Sequence, residues 1–287
     1  MTDAKLRGVR ERKNRTRKKG VSLLLNFPYL IWLCLFVIIP MFIVVVYAFT
    51  DRTGAFTLDN FQKLGIYKDN ILDSFLYALI ATAVTLVLAY PFAYFMTKRS
   101  EATQRVVMML VMLPMWMNLL ILTYSIMNII EANGIINNLL AALGLGKLQM
   151  INTPGAVIFG MVYNYFPYMV LPLYSVLSKI DPALLEAAAD LGSGGLSRFR
   201  RVLLPLSAPG IISGVTMVFV PSVSTFYISQ KLGGTSVNMI GDMIEALVNR
   251  VSTRNLGAML SLVLMLVILV CIMIMNRFSD REGGIML

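Results

Sequence analysis

The chain has 287 residues, of which 57% are hydrophobic and only 14% are charged, and its mean hydropathy is +0.74. These values exclude a soluble globular domain of this length and indicate a protein that crosses a membrane several times. The sequence has no histidine and two cysteines. It therefore lacks the residues for histidine-based metal or acid–base chemistry and has too few cysteines for a disulfide framework.

Six segments without a charged residue are each long enough to cross about 30 Å of hydrocarbon as a helix. In chain order they are residues 29–50, 74–97, 106–130, 154–178, 205–230 and 256–276. We therefore predict an all-α integral membrane protein with six transmembrane helices. The predicted organisation is a basic tail at 1–27, a membrane domain at 28–277 that includes a polar loop at 179–204, and a second tail at 278–287.

Lysine and arginine are distributed unevenly around these segments. Nine precede the first segment, and nine more lie in the second and fourth connections and after the last segment, against seven in the other connections. Because short cytoplasmic loops are enriched in these residues, both termini are predicted to be cytoplasmic. The basic tail is expected to lie against anionic lipid.

Three short elements are predicted on the outer side. The first is a short helix near 56–61, capped by Thr57 or Asp59. The second is a surface helix at 135–143, and the third is an amphipathic segment at 239–248. Within the fifth segment, Gly210 and Gly214 have the spacing at which two helices can approach closely.

The loop at 179–204 is predicted to form two helices. Asp181 caps the first helix, and Gly192 can adopt the left-handed conformation that ends it. A second helix is predicted over 196–204, with Pro205 marking the turn into the fifth segment. Such a pair suits docking into a groove on another protein, and the alternative is an amphipathic connector at the lipid headgroups.

The residue spacing in this loop resembles a known signature. It resembles the EAA loop of permease subunits in bacterial ABC importers. The matching residues are Glu186-Ala187-Ala188, Gly192 six residues after the glutamate, and then Phe199, Val202, Leu204 and Pro205. The resemblance implies the type I ABC importer permease (MetI-like) fold and a coupling helix seated in an ATPase subunit. The residues expected to couple to the ATPase are Glu186, Ala187, Ala188, Gly192, Phe199 and Pro205.

Other stretches resemble the B-type permease of spermidine/putrescine importers. They are residues 56–60, 90–93, 169–174 and 226–229, followed by Gly233-Gly234. The resemblance implies a bacterial cytoplasmic membrane protein that works with a second homologous permease, two ATPase subunits holding ATP and Mg, and an extracellular or periplasmic solute-binding protein. The implied solute is a polyamine. The chain itself is expected to bind no cofactor or nucleic acid and to catalyse no reaction.

A cationic solute needs stabilising groups along its path, and the six segments contain no carboxylate. Aromatic faces can supply about 0.5–2 kcal/mol for each cation–π contact. The predicted path residues are Trp116, Asn118, Tyr124, Tyr163, Tyr165, Tyr168 and Tyr227. Gln230 and Lys231 follow Ser229, where relatives can carry an acid, so another small cationic solute is the alternative to a polyamine.

Two other classes of protein fit part of the pattern. An ion-coupled secondary carrier usually has ionisable groups within the membrane, and the six segments have none. A membrane scaffold or receptor would use the loop for docking without moving a solute. A nucleotide-binding Walker A loop is absent, since Leu148 follows Gly146-Lys147 where Ser or Thr is required.

Overall fold

The computed structural model describes residues 27–283, without the side chains of residue 276 and residues 278–283. Apart from Phe27, the basic tail predicted at 1–27 lies outside the described residues. The tail predicted at 278–287 is described only as backbone, as far as Gly283. The described part is helical, and its β structure is one isolated bridge between Thr50 and Phe56.

The described residues include six helical stretches long and apolar enough to cross a membrane. In chain order the helices are α1 (Phe27–Ala48), α2 (Asp59–Gln62), α3 (Lys68–Thr97), α4 (Glu101–Trp116), α5 (Leu119–Ile130), α6 (Ile135–Ala142), α7 (Pro154–Leu177), α8 (Pro182–Asp190), α9 (Gly195–Ser224), α10 (Ile240–Val248) and α11 (Arg254–Gly283).

The centre of the bundle is α7, which packs against α3 and α9. Gly210 and Gly214 make the close approach between α9 and α7 possible. A Cβ atom at Gly210 would lie 3.0 Å from the carbonyl oxygen of Pro172, and one at Gly214 would lie 2.6 Å from the sulfur of Met169. The predicted role of this glycine pair is therefore confirmed, because a larger side chain at either position would force atoms of α7 to shift.

The third predicted segment is two helices rather than one continuous span. Helix α4 has 16 residues and is only about 24 Å long, and the chain is extended at Met117 before α5 begins. The side chain of Asn118 caps α5 by accepting a hydrogen bond from the Leu120 N–H at 2.8 Å. Pro114 in the last turn of α4 favours this break, since proline cannot donate to the helix.

Helices α4 and α5 together make the third crossing, because they follow α7 along its length. At one end the Tyr174 hydroxyl donates to Oε1 of Gln104 at 2.5 Å. At the other end Ile126 and Ile130 pack in a buried cluster with Val157. By length and apolarity alone, α5 and α6 would count as one stretch at Leu119–Ala142, but a turn at 131–134 separates them, and α6 is therefore treated as an addition beyond the crossing.

The helix that contains the fifth predicted segment begins and ends earlier in the chain than the predicted bounds, 205–230. The expected turn at Pro205 is wrong, because α9 runs without interruption from the loop into the bundle. A π-helical turn at Phe199–Leu203 precedes the proline, and its wider ring accommodates a residue that cannot donate to the preceding turn. The helix ends at Ser224 rather than at Gln230, where the backbone of Thr225 becomes extended.

The first crossing lies at the edge of the bundle. Helix α1 packs against α11, and most of its apolar side chains are exposed, as expected for a helix in contact with lipid. The side-chain amide of Asn255 at the start of α11 donates to the carbonyl oxygen of Thr50 at 2.8 Å. This hydrogen bond ties the end of the first crossing to the start of the last one.

The three short elements predicted between the crossings are present. The N-cap position of α2 is Leu58, and the Thr57 hydroxyl before it accepts a hydrogen bond from the Asp59 N–H at 3.2 Å. Helix α6 covers the predicted segment at 135–143, and α10 covers the one at 239–248. Helices α6 and α10 are too short to cross a bilayer.

Candidate functional site

The loop at 179–204, called the insert here, follows α7 and contains α8 and the first turns of α9. Oδ1 of Asp181 accepts a hydrogen bond from the Ala183 N–H at 2.9 Å, so Asp181 caps α8 as predicted. Gly192 has a φ of +79° and ends the helix in the left-handed conformation. Open space surrounds the position of a Cβ atom at Gly192, so the backbone conformation rather than crowding requires glycine there.

The insert carries large apolar side chains that no other described residue covers. Leu191 is 88% exposed and Leu196 is 81% exposed, and the two lie on either side of Gly192. Glu186 and Ala187 are exposed on α8 beside them. An exposed apolar surface with polar residues next to it is typical of a protein interaction site.

The other predicted coupling residues have different surroundings. Ala188 is half-buried, and Phe199 packs edge to face on Tyr90 of α3, with ring centroids 5.5 Å apart. Pro205 lies apart from these residues, in an apolar groove of about 550 Å³ between α9 and α11. The structure therefore brings Glu186, Ala187, Ala188, Gly192 and Phe199 into the insert and places Pro205 further along α9.

The insert and the bundle together line a cavity of about 340 Å³. Lys98 lies 4.7 Å from the centroid of the Tyr94 ring, and both residues line the cavity at the end of α3. Glu186 and Arg198 line it from the insert, and Nε of Arg198 is buried without a hydrogen-bond partner. Helix α9 runs without interruption from the insert into the core of the bundle.

A second site lies at the opposite end of the bundle, where two of the predicted path residues meet. The rings of Tyr124 on α5 and Tyr227 after α9 are 6.4 Å apart and inclined at 69°. Lys231 places its ammonium nitrogen 5.1 Å from the Tyr124 centroid and 5.7 Å from the Tyr227 centroid. We call these three side chains the aromatic pair and its lysine.

The sequence contained a signal for this arrangement that our reasoning did not use. Lys231 follows Tyr227 by four residues, a spacing that puts two side chains on the same face of a helix. The residues from Ser229 to Gly233 do form a helical turn, of the π type. Lys231 is thus a site residue, although the sequence analysis treated it only as a departure from relatives.

The remaining predicted path residues do not join the aromatic pair. The rings of Tyr165 and Tyr168 are 6.1 Å apart, and the Tyr165 hydroxyl donates to the carbonyl oxygen of Pro221 at 3.5 Å. Trp116 is 84% exposed at the break between α4 and α5, next to the capping residue Asn118.

The last predicted path residue, Tyr163, is exposed on α7. The seven residues therefore form two aromatic pairs and three separate positions rather than one lined channel within this chain.

Asp242 is a buried acid that the sequence analysis missed. Its Oδ2 accepts hydrogen bonds from the Ser229 hydroxyl at 2.7 Å and from the Met239 N–H at 2.8 Å, whereas Oδ1 has no partner among the described residues. Burial, with a smaller contribution from the nearby Glu245, raises the pKa of this carboxyl to about 6, against the opposing effect of the two hydrogen bonds. No three potential metal ligands cluster among the described residues.

Comparisons with known proteins agree with this architecture. Residues 86–282 match the family model described as "Binding-protein-dependent transport system inner membrane component". The chain is 37% identical over 258 residues to the spermidine/putrescine transport system permease protein PotB of Escherichia coli K12, covering 86% of this chain and 94% of PotB. The PotB of Haemophilus influenzae is 38% identical over 75% of this chain and 79% of the relative.

Solved structures share the fold. A chain of a bacterial ABC transporter involved in the import of the acidic polysaccharide alginate superposes with a TM-score of 0.75 at 19% identity, covering 95% of this chain and 99% of the other. The same kind of transporter, in complex with an alginate pentasaccharide-bound periplasmic protein, gives a TM-score of 0.74. The predicted six-crossing ABC permease fold is thereby confirmed. The chain belongs to the family of binding-protein-dependent transport system inner membrane components, and it is a membrane-embedded permease subunit of an ABC importer rather than an enzyme.

Proposed function

We propose that this permease carries a polyamine, spermidine or putrescine, across the plasma membrane of a bacterium. The observation that carries the proposal is its identity with relatives named for spermidine/putrescine transport, which extends over most of both chains. In this proposal the chain pairs with a second, homologous permease, and the two enclose the path. A solute-binding protein delivers the polyamine from outside, and two ATPase subunits hold ATP and Mg inside.

The insert is the part of this chain that receives the motion of an ATPase. Its exposed Leu191 and Leu196 supply apolar surface for a protein groove, and Glu186, Ala187 and Gly192 lie beside them. The positive charge of the N-terminal tail and of the insert favours the cytoplasm for this end of the bundle. Nucleotide-driven closure of the ATPases would move α8, and the continuous helix α9 would carry that motion into the bundle.

The aromatic pair offers a place for an ammonium group on the path. Tyr124 is 42% exposed, so its ring is accessible, and each aromatic face stabilises a cation by about 0.5–2 kcal/mol. One observation favours the alternative of another small cationic solute. Lys231 adds a positive charge at this position, and that charge repels a solute with several ammonium groups more strongly than one with a single charge.

Reconstitution of the complete importer tests the proposal. The two permeases and two ATPases are placed in liposomes with their solute-binding protein, and uptake of radiolabelled spermidine and putrescine is measured with and without ATP. We expect ATP-dependent uptake of at least one of them, together with stimulation of ATP hydrolysis. ATP-dependent uptake of a singly charged cation without uptake of either polyamine would establish the alternative.

A further inference from the structure

The site already holds a cation that belongs to the protein. The ammonium group of Lys231 faces both rings of the aromatic pair, at distances within the range of cation–π contact. A solute ammonium group would seek the same two faces. Two positive charges cannot share them without strong repulsion, because at a few ångströms like charges interact by several kcal/mol near a protein surface.

We propose that Lys231 is a tethered competitor for the solute: its ammonium occupies the aromatic pair when no solute is present and has to leave before a cationic solute binds. This inference rests on the proposed function, since it requires a cation as the transported solute. It makes Lys231 a specificity-determining residue. A cationic solute has to displace the Lys231 ammonium to gain the two ring faces, and the lysine repels a solute with several charges more strongly than one with a single charge.

The backbone on both sides of Lys231 is held firmly, so the lysine stays within reach of the rings. Ser229, Leu232 and Gly233 are buried. The Ser229 hydroxyl is hydrogen-bonded to Asp242, and the carbonyl oxygen of Leu232 accepts from the Asn152 N–H at 2.7 Å. A tethered group of this kind competes at an effective concentration in the millimolar range or above.

The expected effect of removing the competitor follows from these contacts. Lys231→Met keeps the length of the side chain and removes its charge, whereas Lys231→Arg keeps the charge. If the two ring faces become free, spermidine should bind to the importer about 2- to 30-fold more tightly in Lys231→Met, which is the factor that cation–π contact supplies. Lys231→Arg should bind spermidine like the unaltered protein.

The assay measures equilibrium binding of radiolabelled spermidine to the complete permease–ATPase complex in lipid nanodiscs, without the solute-binding protein. Lys147→Met is the matched control, since Lys147 is exposed and bonds Asn133 rather than an aromatic ring. Its affinity for spermidine should equal that of the unaltered protein. Tyr124→Leu removes one of the two rings and should reduce the gain when combined with Lys231→Met.

The outcomes separate this inference from the function on which it rests. Unchanged spermidine binding in Lys231→Met, in an importer that still takes up spermidine, would overturn the inference and leave the proposed function standing. Weaker binding in Lys231→Met would overturn it as well, because the lysine would then assist the solute. An importer that neither binds nor takes up spermidine or putrescine would overturn the proposed function, and the inference with it.

Discussion

The exposed leucines of the insert give the most direct prediction about assembly. Leu191 and Leu196 have 88% and 81% of their surface exposed, so truncating either one removes almost no packing within this chain. If an ATPase covers them, Leu→Ala removes three buried carbon atoms at about 0.8 kcal/mol each, or roughly 2 kcal/mol after scaling for exposure. We therefore expect Leu191→Ala and Leu196→Ala each to weaken ATPase binding by about 30-fold.

The measurement is the affinity of the purified ATPase for the permease pair in nanodiscs, determined by surface plasmon resonance. Leu145→Ala is the control, since Leu145 is also exposed but lies outside the insert, after α6. The thermal unfolding temperature of all three variants should match that of the unaltered chain. Wild-type ATPase affinity in both Leu191→Ala and Leu196→Ala would refute the assignment of the insert as the docking surface.

Three further predictions follow from individual residues. Glu186→Lys should leave the protein in the membrane but uncouple ATP hydrolysis from uptake, and normal uptake would contradict its role. Gly214→Val places a Cβ atom 2.6 Å from the Met169 sulfur and should destabilise the bundle by about 1–3 kcal/mol, measured as a lower unfolding temperature. Gly155→Ala is its control, since a Cβ there lies 3.8 Å from the nearest side chain. Asp242→Asn should weaken the pH dependence of stability, because the pKa of Asp242 is raised in the folded protein.

The sign of that pH dependence is fixed by the direction of the shift. The pKa of Asp242 is about 6 in the folded protein, above its ordinary value of 3.8, so folding favours the protonated carboxyl. The contribution to stability is fully present below pH 3.8 and is lost as the pH rises through 6. When the pH is lowered from 7.5 to 5.5, the unfolding temperature of the unaltered chain should therefore rise. The rise should be smaller in Asp242→Asn. Equal rises would contradict the assignment.

The amino-acid sequence by itself determined the class of the protein and most of its local elements. Long apolar runs without charge require helices in a bilayer, because every backbone group must be hydrogen-bonded within the segment. The cap at Asp181 and the left-handed end at Gly192 were also predictable, since each depends on a few neighbouring residues. The order of motifs placed the chain among ABC permeases, and its family membership decides against a secondary carrier or a scaffold.

Only the tertiary structure decided how these elements meet. The burial of Asp242 depends on Ser229 in another element, and the packing of α4 on α7 joins Gln104 to Tyr174, which are 70 residues apart. Tyr124 and Lys231 are more than one hundred residues apart, and no local pattern indicates that one faces the other. Periodicity and capping act over a few residues, whereas packing brings together segments from the whole chain, and the site residues are defined by that packing.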